Sequence, residues 1–549
     1  MNRAEAVAAV TEATAERDTI QANLLDLDAS FGKRMLHILK EHRAVGESLP
    51  LPTALAYAIE VLPALGYLHA RGLIYCDFKP DNVIQTEEQI KLIDMGAVRR
   101  ADDADSAIYG TVGYQAPEIE EQGPSPASDL YTVGRALAVL TFEFTGYQKT
   151  YQHSLPDPAG IPVLAGNDSY LRALRRATDR DPGRRFESAA EMAEQLTGVL
   201  REVLSLADGQ PRPAFSALFS PEIQAIGAPG LEHADGAPVL AVPSPHEVAT
   251  GLPVPVVDSD DPAAGYLATL STLDAGQRIA ALTAAMRGGN GVPEAVARSV
   301  ETRFALARAH IIGGDPVIAL QLLASDVDPL DWRVPWYQGL AALATGDPGS
   351  AYVVFDEVLN ALPGELAPKL ALGLAAEAAA DPHTAAHFLH VVRVVDQSFV
   401  SAAFGLARVQ LAQGGRSQAV GTLDAIPATS SQYLAAQVAA VRLRLTPLTD
   451  QPWPSADDLQ AADQQLSLLR LDPGVRQQLT AEVLQAALNR VLGGQPLTGG
   501  LLLGSEPHER ALRLGLETSY RAQARLAPDA RRRIYLVDRA NEVRPRTWS

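Results

Sequence analysis

The sequence predicts a mostly α-helical chain in two parts: a helical lobe with one small β-hairpin, then a solenoid of paired helices. Three observations lead there. Val83-Ile84 and Ile90-Lys91-Leu92-Ile93 are short β-branched runs around a Thr86-Glu87-Glu88 turn, which reads as a hairpin. Apolar stretches around 36–41 and over 51–70 read as helices on its N-terminal side. Beyond residue 263, small residues and large apolar ones recur together every 32 to 34 positions.

Taken in order, residues 1–34 are built of good helix formers, as in Arg3-Ala4-Glu5-Ala6-Val7-Ala8-Ala9-Val10, and are expected to form a helical segment with no assignable role. Residues 35–205 follow as a lobe, and chemistry brackets its hairpin. Asp77, Lys79 and Asn82 stand at +0, +2 and +5 before it, and Asp94-Met95-Gly96 directly after. That is the layout of a protein-kinase catalytic loop and metal-binding turn. Phosphoryl transfer needs one carboxylate to orient the attacking hydroxyl, and oxygen ligands to hold Mg²⁺ on the ATP phosphates. Asp77 suits the first role, and Lys79 can offset charge on the migrating phosphoryl group. Asn82 and Asp94 suit the metal-ligand role, and the hairpin is expected to set them side by side.

The markers of a kinase C-lobe continue in order. Gly110-Thr111-Val112-Gly113-Tyr114-Gln115-Ala116-Pro117-Glu118 matches the end of an activation segment. Ser128-Asp129-Leu130-Tyr131-Thr132-Val133-Gly134 matches the start of the central helix, and Asp181-Pro182-Gly183-Arg184-Arg185-Phe186 the late arginine motif. Lys79 with Thr111 resembles serine/threonine kinases more than tyrosine kinases. Glu118 and Arg185 are expected to form a buried ion pair, and Asp129 to brace the catalytic loop backbone; these roles are structural. Cys76 stands where most kinases have Arg, so a phosphate on the activation segment would find no receiver there. Its expected role is a small buried hydrophobe. Met95 in place of Phe should leave Asp94 where it is.

Upstream the reading changes. A nucleotide-clamping lobe of five strands and a helix needs roughly 60 residues. Residues 1–50 contain no G-x-G-x-x-G, their only glycines being Gly32 and Gly46, and no Val-Ala-x-Lys strand. Impaired phosphotransfer is therefore expected, the rival being a catalytically inactive scaffold. An uncovered cleft floor would also favour self-association.

Residues 206–262 form a linker, with ten prolines between 211 and 262. Phe215, Leu218, Phe219 and Ile223 give it an apolar stretch expected to dock on a neighbouring domain. Residues 263–549 then carry four sets at offsets 0, 7, 12 and 16: Ala307/Gly314/Ala319/Leu323, Gly339/Gly346/Ala351/Phe355, Gly373/Ala380/Ala385/Leu389 and Ala407/Gly414/Ala419/Leu423. This is the tetratricopeptide pattern, in which small residues let two helices cross closely and the bulky residue fills the groove. Its concave face is expected to take a protein or peptide. Further helices are expected at 435–445, 456–469, 475–492, 509–526 and 534–543. His383, His387 and His390 share helical spacing but have no carboxylate or cysteine company, which argues against a metal site.

Composition narrows the partners. A net charge of −19 argues against nucleic acid and anionic membrane. One cysteine suits a reducing cytoplasm. No secretory h-region opens the chain, and no run of 18 apolar residues suggests a membrane span.

A kinase lobe without the catalytic-loop Arg, a proline-rich linker and a tetratricopeptide array together resemble actinobacterial protein kinase G. The resemblance runs from about residue 36 to the end. It rests on Tyr75-Cys76-Asp77-Phe78-Lys79-Pro80, Gln115-Ala116-Pro117-Glu118-Ile119, Leu196-Thr197-Gly198-Val199-Leu200-Arg201-Glu202-Val203, Pro363-Gly364-Glu365-Leu366-Ala367-Pro368-Lys369, Ser401-Ala402-Ala403-Phe404-Gly405-Leu406-Ala407-Arg408 and Leu536-Val537-Asp538-Arg539-Ala540-Asn541. It implies an ATP- and Mg²⁺-dependent serine/threonine kinase, with Asp77, Lys79, Asn82 and Asp94 in the roles above. It also implies a protein substrate, a small forkhead-associated regulator. The family's rubredoxin-like module and most of its kinase N-lobe have no counterpart in these residues.

Overall fold

The computed structural model describes residues 33–86, 89–103, 110–231, 237–288, 291–324, 327–447, 452–497 and 499–545. They fall into two compact units, one reaching to Gln210 and including Glu357–Glu365, the other made of 211–356 and 366 onward. Residues 1–32 of the expected N-terminal helical segment lie outside the described residues. Its last two do not fit that expectation: Lys33–Arg34 is a strand, pairing antiparallel with Val83–Gln85.

In the first unit the expected hairpin forms between Val83–Gln85 and Ile90–Leu92, with Val83 opposite Leu92. Met35–Ala44 and Leu51–His69 pack against it, and Pro126–Thr141 and Ala189–Asp208 pack on Leu51–His69. Pro126–Thr141 begins with a reciprocal Ser125/Ser128 capping box and Pro at its first position, both strong start signals. Every residue from Ser128 to Thr141 is buried, as a helix at the centre of a lobe must be. Leu51–His69 is long and apolar enough to cross a bilayer by length and composition alone. Leu55, Leu62 and Leu65, however, have no exposed surface and belong to the core cluster of the lobe. Ala189–Asp208 runs three residues past the expected boundary at 205. It stops where Gly209 takes φ +70°, a left-handed cap natural only to glycine.

The array consists of the helix pairs Val300–Gly313/Pro316–Leu323, Arg333–Ala344/Pro348–Ala361, Leu366–Ala378/Pro382–Val395 and Val400–Ala412/Arg416–Asp424, of which residues 357–361 count with the first unit. The small-residue pattern has a direct steric cause. A Cβ on Gly339 would sit 2.4 Å from the Phe355 ring, and one on Gly373 2.8 Å from Leu389. The turn position takes positive φ in all four repeats, +89° at Gly314, +83° at Gly346, +59° at Ala380 and +81° at Gly414. The helices Tyr433–Leu445, Ala456–Leu468, Pro473–Leu492, Glu509–Leu526 and Ala530–Val543 complete the array.

The proline-rich segment is less free than a connector. It contains its own helix, Pro245–Gly251, and buries Phe219, Ile226, Leu240, Val248 and Leu252. Phe219 packs on Trp332 and Trp336 at 5.0 and 4.8 Å between ring centroids. Of the four apolar residues expected to dock, it alone is fully buried; Phe215 is 98% exposed and Ile223 51%. Two arginines one repeat apart grip the same segment. Arg408 donates to the Gly227 carbonyl at 3.3 Å and Arg442 to the Leu231 carbonyl at 3.0 Å.

Candidate active site

The site is built on the loop between strand Leu73–Ile74 and the hairpin, and its anchor is Asp129. This carboxylate has no exposed surface. It accepts from the Tyr75 and Cys76 amides, each at 2.8 Å, and lies 2.9 Å from His69 Nε2. The two amide bonds hold Cys76 at φ +70°, a conformation that disfavours any side chain. Cys76 is buried, and burial first, with Asp129 second, pushes its thiol up to about 12, so it stays protonated. Tyr75 reaches across from the same loop and donates to the Ile93 carbonyl at 2.5 Å. Its phenol is raised above the usual range by burial, then by Asp94 and Asp77.

Beyond that anchor, four of the expected residues converge. Lys79 Nζ donates to Asp77 Oδ2 and to Thr111 Oγ1, both at 2.7 Å. Thr111 Oγ1 in turn donates to Asp77 Oδ1 at 2.7 Å. Asn82 Nδ2 donates to Asp77 Oδ2 at 3.1 Å and to its backbone carbonyl at 2.9 Å. Both amide hydrogens of Asn82 are thereby committed to Asp77, which leaves its Oδ1 facing away as a hard oxygen donor. Asp94 is not in this cluster. The hairpin places it close by, since the Ile93 amide donates to the Asn82 carbonyl at 2.9 Å. Its own carboxylate is exposed, with φ +62°, and accepts from the Gly96 amide at 3.1 Å. Met95 is 53% exposed and packs into no core.

One exposed carboxylate plus an amide oxygen suits Mg²⁺, which binds through one or two protein oxygens and takes its other ligands from phosphates and water. Among the described residues no group of three or more His, Cys, Asp or Glu could cage a metal unaided, and this set does not require one.

The outer supports are bidentate. Arg185 meets Glu118 through two bonds of 2.7 Å, with both side chains buried. The same guanidinium donates to the Asp179 and Ala127 carbonyls and lies over the Tyr131 ring. Sequence reasoning missed two contributors. His69, in the turn His69-Ala70-Arg71-Gly72, shares Asp129 with the loop amides. Arg135, without exposed surface, has no carboxylate partner in the described lobe and donates to the carbonyls of Gly113, Tyr147, Tyr151 and Ser154. It thereby ties the segment after Thr111 to the loop after the central helix. Burial lowers its pKa. Its place among the small and apolar residues of Val133-Gly134-Arg135-Ala136-Leu137 was the available signal.

Comparisons with known proteins bear on both units. The family described as protein kinase G tetratricopeptide repeat matches residues 213–547, and the protein kinase domain family matches residues 12–169. The chain is 42% identical over 511 residues to serine/threonine-protein kinase PknG of Mycobacterium leprae, covering 91% of this chain and 66% of that protein. It is 40% identical over 541 residues to serine/threonine-protein kinase PknG of Mycolicibacterium smegmatis, covering 95% and 70%. The chain thus spans about two thirds of the length of these relatives. Ribosomal protein S6 kinase 2 alpha of Xenopus laevis is 36% identical over 152 residues, which is 26% of this chain.

Proposed function

The chain belongs to the protein kinase G family of serine/threonine protein kinases, and on that premise we propose that it transfers the γ-phosphoryl group of ATP to a Ser or Thr hydroxyl of a protein. The observation that carries this reading is the Asp77-Lys79-Asn82-Thr111 cluster. Asp77 is held through both carboxylate oxygens, so its position is set before a substrate arrives. It orients the incoming hydroxyl and accepts its proton, a role in which displacement of Thr111 or Lys79 from one oxygen makes room. Lys79 keeps a positive charge beside the reacting atoms, where charge on the transferred group is greatest. Asn82 Oδ1 and Asp94 would hold Mg²⁺, which when bound neutralises charge on the nucleotide phosphates. Arg185, Glu118, Arg135 and Asp129 position these groups and touch no substrate. The substrate class is, by family resemblance, a protein with a forkhead-associated domain, met in the cytosol.

The test is calorimetry with Mg²⁺-ATP, followed by phosphopeptide mapping of a Ser/Thr peptide mixture. Asp94→Asn should abolish nucleotide binding. Asp77→Asn should lower transfer by about 10²- to 10⁴-fold, the usual worth of a positioned proton acceptor. Transfer that survives Asp77→Asn unchanged would refute the assignment. No binding at millimolar nucleotide would favour the scaffold reading, with the helical array as the working part.

A further inference from the structure

Within the second unit lies a cavity of about 710 Å³, a size typical of small-molecule sites. One wall is the proline-rich segment, through Val254, Pro255 and Val257; the other comes from the first helices of the array, through Leu267, Leu282 and Ala305. These surfaces are aliphatic. Arg278, Arg308 and the buried Tyr337 line the same space.

The two arginines are half-buried and lack the anion that a partly desolvated cation favours. Among the described residues Arg308 has neither a hydrogen-bond acceptor nor a carboxylate partner, and the like charge of Arg278 acts on it. Arg278 donates to the Leu273 and Ser271 carbonyls, but its Nε is shut off from solvent with no acceptor. The cavity's carboxylate, Glu301, is committed elsewhere: it accepts from Arg333 and from the Asp258 amide, while Arg333 also pairs with Asp331 at 2.7 Å. A partly desolvated guanidinium without an anion is unfavourable, and burial together with Arg278 holds the Arg308 pKa below its ordinary value. An anion entering here would relieve that cost, and the aliphatic walls would bury whatever chain it carries.

We propose that this cavity is a binding site for an aliphatic carboxylate, a fatty-acid-like ligand whose head group is held by Arg308 and Arg278. Charge complementarity selects the anion, and the walls select a chain. Because both the proline-rich segment and the first repeat contribute walls, an occupant would join them.

The experiment is calorimetric titration of the full chain with dodecanoate below its micellar range, beside dodecanol and dodecyltrimethylammonium. One saturable site for dodecanoate is expected, accompanied by a rise in thermal midpoint. Arg308→Gln should weaken dodecanoate by about tenfold or more, the worth of a charged hydrogen bond, and dodecanol should bind the parent chain at least that much more weakly. Ala268 lies exposed on the cavity wall, so Ala268→Trp should block binding while leaving the ligand-free midpoint unchanged. Equal affinity for dodecanoate and dodecanol, or undiminished binding to both variants, would overturn the proposal. So would tighter binding of a leucine-terminated peptide carboxylate than of dodecanoate, which would make this a peptide pocket.

Discussion

The catalytic-loop region and the helical array reach order by different means. In the lobe, buried charges do it. Asp129, Arg135 and the Arg185–Glu118 pair are shut off from water, and each satisfies several backbone groups at once. In the array, small residues do it: Gly339 and Gly373 leave room for Phe355 and Leu389, and the helices close on each other. The difference teaches where each region will break. A lobe held by charges fails when one partner is removed, because the other is stranded in low dielectric. An array held by shape fails when volume is added.

The largest expected effect tests the first half of that contrast. Arg185→Ala should cost about 3–5 kcal/mol in urea unfolding of the lobe, because it leaves Glu118 uncompensated. A double variant, Glu118→Gln with Arg185→Met, should recover much of that loss. A single-variant cost under about 1 kcal/mol would mean the pair behaves as a surface bridge and the comparison collapses.

Next comes a charge in the proline-rich segment that lies against the array, an exception that sharpens the rule. Glu222 faces the start of helix Val400–Ala412, where its Oε2 accepts from the Ser401 amide at 3.4 Å, while its Oε1 is buried and unpartnered. Burial foremost, and Asp396 in addition, raise its pKa from 4.5 to about 7. The folded state therefore holds the proton more tightly than the unfolded one, the reverse of a paired carboxylate. Its penalty is absent below about pH 4.5 and grows as pH rises to about 7. Glu222→Gln should stabilise by about 2–3 kcal/mol at pH 8 and by almost nothing at pH 4.5. Denaturation midpoints at the two pH values decide it, and a pH-independent gain would be the wrong result.

Gly339→Ala probes shape directly. The added methyl meets the Phe355 ring, and a loss of about 1–3 kcal/mol is expected by thermal unfolding. The smallest effect has the opposite sign. Ala380 occupies at φ +59° the turn position held by glycine in the other three repeats. Ala380→Gly should stabilise by about 1 kcal/mol by removing the Cβ strain, and destabilisation would mean the alanine packs better than its exposure implies.

Much of this was open to reading in the chain. Asp77, Lys79, Asn82 and Thr111 could be named because their spacing is local and their chemistry is specific, and the structure brings those four together. The repeat was legible through its period. One further signal went unread: Gly314-Asp315-Pro316, Gly346-Asp347-Pro348 and Ala380-Asp381-Pro382 place a left-handed residue, an N-cap position and a first-turn proline at three of the four repeat junctions. Asp347 and Asp381 accept from the Ser350 and Thr384 amides accordingly.

By itself, then, the sequence determined the helical class, the catalytic spacing and the repeat, because each follows from neighbouring residues and a fixed geometry per residue. Tertiary structure decided the rest. Arg135 bonds only to carbonyls, and every residue has one, so no letter in the chain marks its partners. Arg408 and Arg442 likewise reach the proline-rich segment through backbone oxygens, although each also pairs with a carboxylate, Glu377 and Glu482. Cys76 takes a left-handed backbone because Asp129, far away in sequence, holds the Tyr75 and Cys76 amides that lead into that bend. Partners defined by backbone atoms and by burial exist only once the chain has closed on itself.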